Sequence, residues 1–448
     1  MDYCLPLSGQ LVTETIQEAI NKCHSQGGGT LRFPPGVYLS GTIELKSNVT
    51  LLFERGAVLL GSDKIEDYPA KCLIWAENAE NIAIEGGGTI DGQGHTFWEG
   101  KWYPFTRPQK VIHFVGCKNV TIKDVLVTDA PMFNIQVTKC DLVRIEGVSI
   151  KNKWGSPNTD GIDPTSSRNV FISNCYIETG DDAICIKCGD EPTENIVVTN
   201  CILKTDDSAI KLGTGSQSRI ANCLFSNIVV HGSVHGVAFF MKDGGTFEDI
   251  QFSNIILETA TDPGAFISKG SYPIFMDIEQ RNPDTHDVDA DGNTFIVGDE
   301  AINAVMDGTG DIPPLGKIKN ISFRDITITV SDGNCLIQGH PEQPIEGLTF
   351  DNVRIKVKSR MDLSKRLKAR GTRSMTKRAI NDYADKHAYF TFAHIRNLRM
   401  RDIQIIENEQ PNVPEYYAIW GEDLKNVLIE NLNSDATLFQ NSSAVIVK

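Results

Sequence analysis

The sequence predicts an all-β fold, a right-handed parallel β-helix, and three observations support that prediction. A phrase such as Asn169-Val170-Phe171-Ile172-Ser173-Asn174-Cys175 recurs along most of the chain. Each copy alternates apolar and polar residues, is rich in Val and Ile, and is bounded by Gly, Asp and Asn, which is typical of short strands joined by tight turns. The copies follow one another at roughly 23 to 27 residues, within the range of stacked repeat architectures.

One such unit is too short to bury its own apolar face, so successive units are expected to stack and to share one elongated core. A β-helix turn needs several strands and corners, which is about this many residues. A β-propeller is the alternative, but its blades need about 40 residues or more. Asn at the unit starts is expected to shape corners, because Asn tolerates turn conformations. The positions expected to stack directly on one another are Val120, Val143, Val170, Ile196, Cys223 and Ile250.

The N-terminal residues 1–30 are predicted to form a cap that contains one helix. Such a helix would plug the open end of the stack, which terminal units must do to stay soluble. Thr13 or Thr15 is the expected N-cap, and Thr15 to Glu18 has the spacing of a capping box. The apolar face of the helix comprises Ile16, Ala19, Ile20 and Cys23. Residues 1–448 are read as a single domain, with loop insertions at about 268–316 and 358–388.

Charge and cysteine content narrow the classes of partner and the compartment. The formal net charge of -15 argues against nucleic acid and anionic membranes, because both favour basic surfaces. No apolar stretch of about 18 residues occurs, and the first residues lack the features of a signal peptide. Eleven cysteines without a CxxC pair predict free buried thiols, not disulfides or a zinc site. A cytoplasmic location is expected, or export if a leader has been removed.

Four aspartates, Asp160, Asp163, Asp181 and Asp182, fall in consecutive repeat units. Asp160 and Asp181 are about one turn of the β-helix apart, so both should lie on the same wall of the β-helix. Crowded carboxylates do not all ionise together, and at least one pKa is expected to rise. One protonated and one ionised carboxyl group are what glycoside hydrolysis requires. The alternative is that these aspartates only form turns.

The motifs Asn158-Thr159-Asp160 and Gly180-Asp181-Asp182 resemble those of the polygalacturonases and their relatives in glycoside hydrolase family 28. The resemblance implies the parallel β-helix and an inverting mechanism. In that mechanism Asp181 is the general acid, while Asp160 and Asp182 hold and deprotonate the attacking water. Inversion needs acid and base carboxyls about 6.5 to 9.5 Å apart.

Two other family motifs are altered. Ser208 stands about where a family histidine belongs, and Phe240-Met241-Lys242 replaces Arg-Ile-Lys. Because the family's Arg and Lys bind a substrate carboxylate, the Phe puts galacturonate at that subsite in doubt. The residues expected to bind substrate are Asn158, Asp207, Lys211, His235, Phe240 and Lys242.

Several of these residues have a plainer interpretation. Asp206-Asp207 is either an extension of the site or an ordinary turn, and Phe240 either stacks on a sugar face or belongs to the core. His235 could place an imidazole at the cleft floor, although a corner or surface position is favoured. A group of aromatic residues either stacks on sugars or caps the core: Trp98, Trp102, Tyr103 and Trp154.

No metal and no cofactor is expected in catalysis. Asp287 to Gly292 has the DxDxDG start of a calcium loop, but Gly298 takes the twelfth position, where a bidentate Glu is needed. A solvated acidic loop is therefore the favoured reading. The basic segment Arg360 to Lys386 either guides an anionic substrate or is a solvated face.

The resulting expectation is an inverting glycoside hydrolase whose partner is an oligosaccharide or polysaccharide, derived from pectin or related to it. One alternative is a lyase or epimerase on the same fold, with Lys211 or Lys242 as base. Another is a catalytically inactive carbohydrate-binding or scaffold protein.

Overall fold

The computed structural model describes residues 2–4, 11–101, 106–259, 271–281, 287–288, 294–295, 312–360, 382–383, 385–407, 416–441 and 446–447. The chain divides into two compact units. Unit 1 comprises Met1–Cys185 and Thr193–Asp206, and unit 2 comprises Ile186–Pro192 and Asp207–Lys448. The prediction of a single domain over 1–448 stays a prediction.

The N-terminal helix is present as α1, Thr13–Ser25, and it buries Ile16, Ile20 and Cys23. Its predicted cap is wrong. The helix begins after Val12, and neither Thr13 nor Thr15 caps it through a side chain. The Thr13 hydroxyl instead accepts a hydrogen bond from the backbone N–H of Gly41 at 2.8 Å. Thr13 therefore ties the helix to the neighbouring coil instead of capping it.

Unit 1 consists of three columns of parallel strands, one strand from each column in most coils. The first column contains Ile43–Glu44, Cys72–Glu77, Lys110–Val115, Phe133–Thr138 and Ile162–Thr165. The second contains Asp2–Cys4, Gly29–Phe33, Val49–Phe53, Glu80–Gly86, Lys118–Lys123, Asp141–Glu146, Arg168–Ser173 and Thr193–Thr199. The third contains Gly36–Ser40, Ala57–Gly61, Thr89–Asp91, Leu126–Thr128, Ser149–Lys151, Tyr176–Thr179 and Ile202–Thr205. Two short helices, Ile65–Asp67 and His95–Trp98, lie between strands, and the strand Ile184–Cys188 follows the acid motifs.

Unit 2 repeats the parallel pattern with longer strands. Short strands form one column: Ser208–Ser216, His235–Met241, Tyr272–Ile278 and Cys335–Gln338. Long parallel strands complete the coils: Arg219–His231, Thr246–Glu258, Lys317–Ser331, Ile345–Ser359, Ala388–Glu407 and Tyr417–Ser434. Thr437–Asn441 and Ile446–Val447 pair with the last of these, and Asp287–Val288 forms a short antiparallel pair with Thr294–Phe295.

The predicted repeat register is confirmed inside each unit. In unit 1, Val120 lies beside Val143, Val143 beside Val170, and Val170 beside Ile196. In unit 2, Cys223 lies beside Ile250. These side chains are at most 2% exposed, so the period-two pattern fills the interior of the coils as predicted. The parallel β-helix class is confirmed.

Asparagines shape the corners, as the sequence indicated. Asn119, Asn169 and Asn195 have φ between 53° and 60°, in the left-handed region that Asn tolerates better than most residues. Their side chains also form ladders, in which the Asn195 amide donates to Asn169 at 3.1 Å. The Asn at a unit start therefore supplies both a backbone conformation and a contact to the coil beneath.

The predicted insertions fall largely outside the described residues. Tyr272–Ile278 pairs with strands on both sides, so the stack continues through this part of the expected 268–316 insertion. Ten of the eleven cysteines are described with their side chains, and all ten are free and buried, as predicted. Among the helices that the structure describes, none has the length and hydropathy to cross a membrane.

Candidate active site

Three aspartates of unit 1 converge where two successive coils begin their strands. Asp160 comes shortly before the strand Ile162–Thr165, and Asp181 and Asp182 come shortly before Ile184–Cys188. One carboxylate oxygen of Asp182 lies within 4.8 Å of a carboxylate oxygen of Asp160 and within 4.8 Å of one of Asp181. Asp160, Asp181 and Asp182 are 4%, 8% and 1% exposed. The expectation that the repeat brings these acids together is met.

Thr159 links the two acid motifs. Its hydroxyl accepts a hydrogen bond from the backbone N–H of Gly180 at 3.0 Å and shares one with the Ser156 hydroxyl at 2.7 Å. Gly180 leaves no room for a side chain, because a Cβ there would lie 2.5 Å from the Ser156 backbone. The middle residue of one motif therefore holds the first residue of the other in place.

Gly161 allows the backbones of the two coils to approach closely. Its N–H donates to the carbonyl of Asp182 at 2.8 Å, and the next N–H, of Ile162, donates to Ala183 at 3.0 Å. A Cβ on Gly161 would stand 2.4 Å from the Ala183 carbonyl oxygen. These parallel-strand bonds fix the spacing between Asp160 and Asp182 through the backbone.

Buried hydroxyl and amide groups hold the remaining backbone. The Asp181 carbonyl accepts from the hydroxyls of Thr179, at 2.6 Å, and Thr205. The Asp181 carboxylate accepts from the backbone N–H of Asp182 at 2.9 Å. On the other motif, the Asn134 side-chain amide donates to the Asp160 carbonyl at 2.9 Å. The acids thus project from backbone that is fixed on both coils.

Arg107 holds the loop that leads into the first acid motif. One terminal nitrogen, Nη1, donates to the carbonyls of Pro131 at 2.8 Å and Pro157 at 2.7 Å. The other, Nη2, donates to the Asn158 side-chain oxygen at 2.7 Å. Arg107 is 6% exposed, and Asn158 is half-buried with a φ of 55°.

One residue near the acids was not expected at the site. The Cys185 sulfur lies within 4.8 Å of carboxylate oxygens of Asp160 and Asp182. The repeat pattern gave no signal for it, since Cys at other positions fills the core. Asp163, the fourth acid of the predicted cluster, is fully buried on the strand beside Gln136.

Of the four aromatic residues singled out in the sequence, Trp98 and Trp154 are described, while Trp102 and Tyr103 lie outside the described residues. Both described indoles are half-buried, and each carries a lysine over its ring. Lys153 lies 5.8 Å from the Trp98 ring centre, and Lys204 lies 5.4 Å from that of Trp154.

In unit 2, Asp207, Ser208 and His235 form a buried polar group. The strands place Ser208 directly beside His235. His235 Nδ1 lies 3.1 Å from a carboxylate oxygen of Asp207, and the Ser208 hydroxyl donates to the same oxygen at 3.0 Å. His235 is 2% exposed, so the corner or surface position favoured from sequence is wrong. An imidazole thus stands one coil after Ser208, the residue expected from sequence at about the position of the family histidine.

Phe240 belongs to an aromatic cluster around that imidazole. Its ring centre lies 5.9 Å from that of His235 and 5.1 Å from that of Phe275. Tyr272 stacks on the imidazole at 5.7 Å. Lys211 is half-buried, with its ammonium 5.3 Å from the Phe240 ring centre. Phe240 is 7% exposed, so most of its surface contacts protein.

Lys242 is engaged inside unit 2. Its ammonium lies 2.5 Å from a carboxylate oxygen of Asp277 and 3.5 Å from one of Glu279, and the side chain is fully buried. A buried cation with two anions beside it is already matched in charge. The expected contact between Lys242 and substrate stays a prediction.

The predicted calcium loop and the basic segment Arg360 to Lys386 lie mostly outside the described residues. At the ends of the basic segment, Arg360 pairs with Glu407 at 2.7 Å, and the Lys386 ammonium lies 5.3 Å from the Trp420 ring centre. These two cations contact their own unit.

Comparisons with known proteins identify relatives of the chain. The sequence profile of the glycosyl hydrolases family 28 matches residues 23–289. A probable polygalacturonase of Vitis vinifera is 28% identical over 381 residues, which cover 77% of this chain and 71% of that protein. An endo-polygalacturonase of Pectobacterium carotovorum subsp. carotovorum is 28% identical over 293 residues, covering 58% of this chain and 72% of that protein.

Solved structures are similar in fold. The polygalacturonase from Erwinia carotovora ssp. carotovora aligns with a TM-score of 0.63 and 23% identity, over 80% of this chain and 94% of that one. The exopolygalacturonase from Thermotoga maritima aligns with a TM-score of 0.62 and 20% identity, over 79% of this chain and 85% of that one. The fold is the right-handed parallel β-helix predicted from the repeat.

Proposed function

Because this chain belongs to family 28 of the glycosyl hydrolases and is an O-glycosyl hydrolase, we propose that it cleaves a glycosidic bond in pectin-derived or related oligosaccharides with inversion. The convergence of Asp160, Asp181 and Asp182 in unit 1 carries this proposal. The names of the relatives, polygalacturonases of plants and bacteria, support pectin as the source of the substrate.

The proposed attacking water lies between Asp160 and Asp182. A water that donates to two carboxylates at about 2.8 Å each, with its O–H bonds about 105° apart, bridges oxygens about 4.4 Å apart. The separation of these two carboxylates, within 4.8 Å, suits such a bridge. Held in this way, the water keeps a lone pair for the anomeric carbon while either carboxylate accepts its proton.

Asp181 is the proposed general acid. At 8% it is the most exposed of the three residues, which supports contact with a leaving-group oxygen. The carboxylate oxygens of Asp181 and Asp182 lie within 4.8 Å, closer than the roughly 6.5 to 9.5 Å expected between an inverting acid and base, so the stereochemistry of the product is the decisive test of this role. Proton transfer from Asp181 to the glycosidic oxygen completes bond cleavage as the water attacks from the opposite face.

Asn158 is the proposed substrate-binding residue of unit 1, since it is half-buried beside the acids in sequence. Substrate contacts by Asp207, Lys211, His235, Phe240 and Lys242 remain proposals for unit 2. The charge neutralisation of Lys242 by Asp277 supports a less acidic sugar in that unit.

The first test is reducing-sugar release from homogalacturonan, rhamnogalacturonan, xylogalacturonan and neutral galactoside oligosaccharides. Asp181→Asn should lower kcat by at least about a thousandfold, because a carboxamide cannot donate the proton. Asp141→Asn is the matched control, because Asp141 lies at a corner where it pairs with Arg168 at 2.9 Å. It should retain activity, and equal loss in both variants would contradict the assignment.

The stereochemical outcome tests the proposed roles separately. Proton NMR of the first product formed should show the anomer opposite to that of the substrate. Retention would contradict the water-bridging role of Asp160 and Asp182. An ultraviolet-absorbing unsaturated product would instead indicate a lyase, and binding without turnover that persists in Asp181→Asn would indicate a carbohydrate-binding protein.

A further inference from the structure

We propose that Arg107 is a positioning residue that fixes the orientation of the Asn158 side-chain amide and thereby selects a hydrogen-bond acceptor on the substrate. This inference rests on the proposed function, because it concerns the same substrate. Asn158 directly precedes Thr159 and the acid Asp160, so its amide belongs to the part of unit 1 where the sugar must lie.

The geometry at Arg107 orients the amide. Nη2 donates to the Asn158 side-chain oxygen at 2.7 Å. An Asn amide has one acceptor oxygen and one donor nitrogen, so a donor on the oxygen side determines which end faces away. The NH₂ group of Asn158 is therefore the end presented for other contacts. It suits an acceptor such as a carboxylate, hydroxyl, ring or glycosidic oxygen.

The loop itself is held by the same guanidinium. Nη1 donates to Pro131 at 2.8 Å and to Pro157 at 2.7 Å, which lie before successive strands of the first column. A planar guanidinium with two separate terminal nitrogens can serve three fixed acceptors at once, whereas the single ammonium of Lys cannot match that geometry. Arg107 is 6% exposed, so its side chain has few other conformations. Its position is set before substrate binds.

The fixed surroundings of Asn158 make the orientation of its side-chain amide important. Asn158 has a φ of 55°, which places its side chain at the turn into the acid motif. Thr159 beside it is committed to Gly180 and Ser156, so it has no freedom to adjust. Without Arg107 the amide can rotate about its side-chain bonds and present either end. The expected consequence is weaker substrate binding while the acids remain in place.

The test is a double-mutant cycle on substrate affinity. It uses whichever of the four kinds of oligosaccharide in the first test, the panel, the wild type cleaves. Arg107→Lys and Asn158→Ala should each raise KM about tenfold and change kcat by less than about threefold. The double variant should be no worse than Asn158→Ala alone, because Arg107 acts through that amide. A merely structural role would lower Tm and activity together and would add to the effect of Asn158→Ala.

Two further variants keep the test decisive. Asn158→Asp retains a partner for Arg107 but removes the NH₂ donor, so it should bind at least as weakly as Asn158→Ala. Wild-type affinity in Asn158→Asp would overturn the inference even if Arg107→Lys failed to fold. Arg168→Lys is the control for arginine loss, since Arg168 pairs with Asp141 on an exposed corner. It should leave KM unchanged.

Binding in the Asp181→Asn background separates this inference from the proposed function. Calorimetric Kd values for the same oligosaccharides do not require turnover. If the wild type cleaves nothing but the cycle on Kd behaves as described, the inference stands and the hydrolase proposal fails. If cleavage occurs and Arg107→Lys changes KM equally with and without Asn158, the inference is wrong. Absence of binding by every panel member would overturn both.

Discussion

In the acid motifs, the room that small residues leave and the hydrogen bonds that Thr159 forms are as important as the charged side chains. Gly161 and Gly180 sit where a Cβ would lie within about 2.5 Å of the neighbouring coil. Thr159 supplies a hydroxyl between coils that Ala or Val could not supply. Substitution at these three positions would move the carboxylates without removing them, so the chemistry depends on side chains that take no part in proton transfer.

The stability of the folded protein depends on pH partly through a single side chain, that of His113. Burial lowers the pKa of His113 to about 3, and Lys110 adds to the shift. An unfolded His has a pKa of about 6.5, so as pH falls the unfolded chain takes up this proton first. The stabilising contribution is therefore complete above about pH 6.5 and is lost progressively towards pH 3. The ring is partly exposed, which limits the size of the effect.

Between pH 7 and pH 5 the wild type should lose about 1 kcal/mol more unfolding free energy than His113→Gln. Urea denaturation at the two pH values measures the difference. His231→Gln, a change at an exposed strand residue, should follow the wild type. Equal pH sensitivity of His113→Gln and wild type would show that His113 is not the group responsible.

At the scale of the element, corner asparagines stand near the start of strands, as Asn81 does in Glu80–Gly86. Asn81 has a φ of 55°, donates to Asn48 at 2.9 Å and accepts from Asn119 at 2.8 Å. Asn81→Gly keeps the left-handed backbone but loses both contacts, whereas Asn81→Ala also strains the backbone by about 1 kcal/mol. The Ala variant should therefore be the less stable of the two.

Thermal and urea unfolding of the two variants measure that order. Asn21 offers an opposite control, since it lies exposed in helix α1. There the Gly variant should be less stable than the Ala variant by about 1 kcal/mol, because helices disfavour Gly. If Asn81→Ala matched Asn81→Gly, the backbone conformation would not be the reason for Asn at the corners.

Strands and corners could be predicted from sequence where residues close together in the chain determine them. The alternation around Val143 and Val170 fixes which face of each strand is buried, and the Asn at each start fixes the corner. The N-cap of α1 was mispredicted because Thr13 contacts Gly41, a partner in another coil. His235 was expected at the surface, but Tyr272 and Phe275 bury it from the following strand, beyond the reach of local patterns.

At the scale of the whole molecule, motif spacing predicted where the site lies, but not the residues that support it. Repeat length alone predicted that Asp160 and Asp181 meet, and their motifs do lie on adjacent coils. The role of Arg107 in holding Asn158 could not be predicted, because 51 residues separate them. Charge matching of Lys242 by Asp277 was hidden for the same reason, since the pair spans 35 residues. Long-range polar contacts have no periodicity to reveal them.

The net charge of the whole chain predicts how KM for a charged substrate depends on salt. A formal charge of -15 repels a polyanionic oligosaccharide over distances comparable to the Debye length. That length is about 30 Å at 0.01 M salt and about 8 Å at 0.15 M, so added salt removes most of the repulsion. For an oligogalacturonate, KM should therefore fall as salt rises. The methyl-esterified oligomer, which has the same sugars without the charge, should show little change.

Initial rates at the two salt concentrations, with both oligomers, measure this effect. Because the two oligomers share the same sugars, the change with salt in the ratio of the oligogalacturonate KM to the ester KM separates electrostatics from recognition of the sugar. If the oligogalacturonate KM divided by the ester KM falls with added salt, the acidic surface as a whole governs how the anionic substrate approaches the protein. A rise would mean that cations near the site attract the substrate strongly enough to reverse the field of the molecule. The basic segment Arg360 to Lys386 would then be the first place to neutralise by substitution, and salt dependence should disappear in that variant.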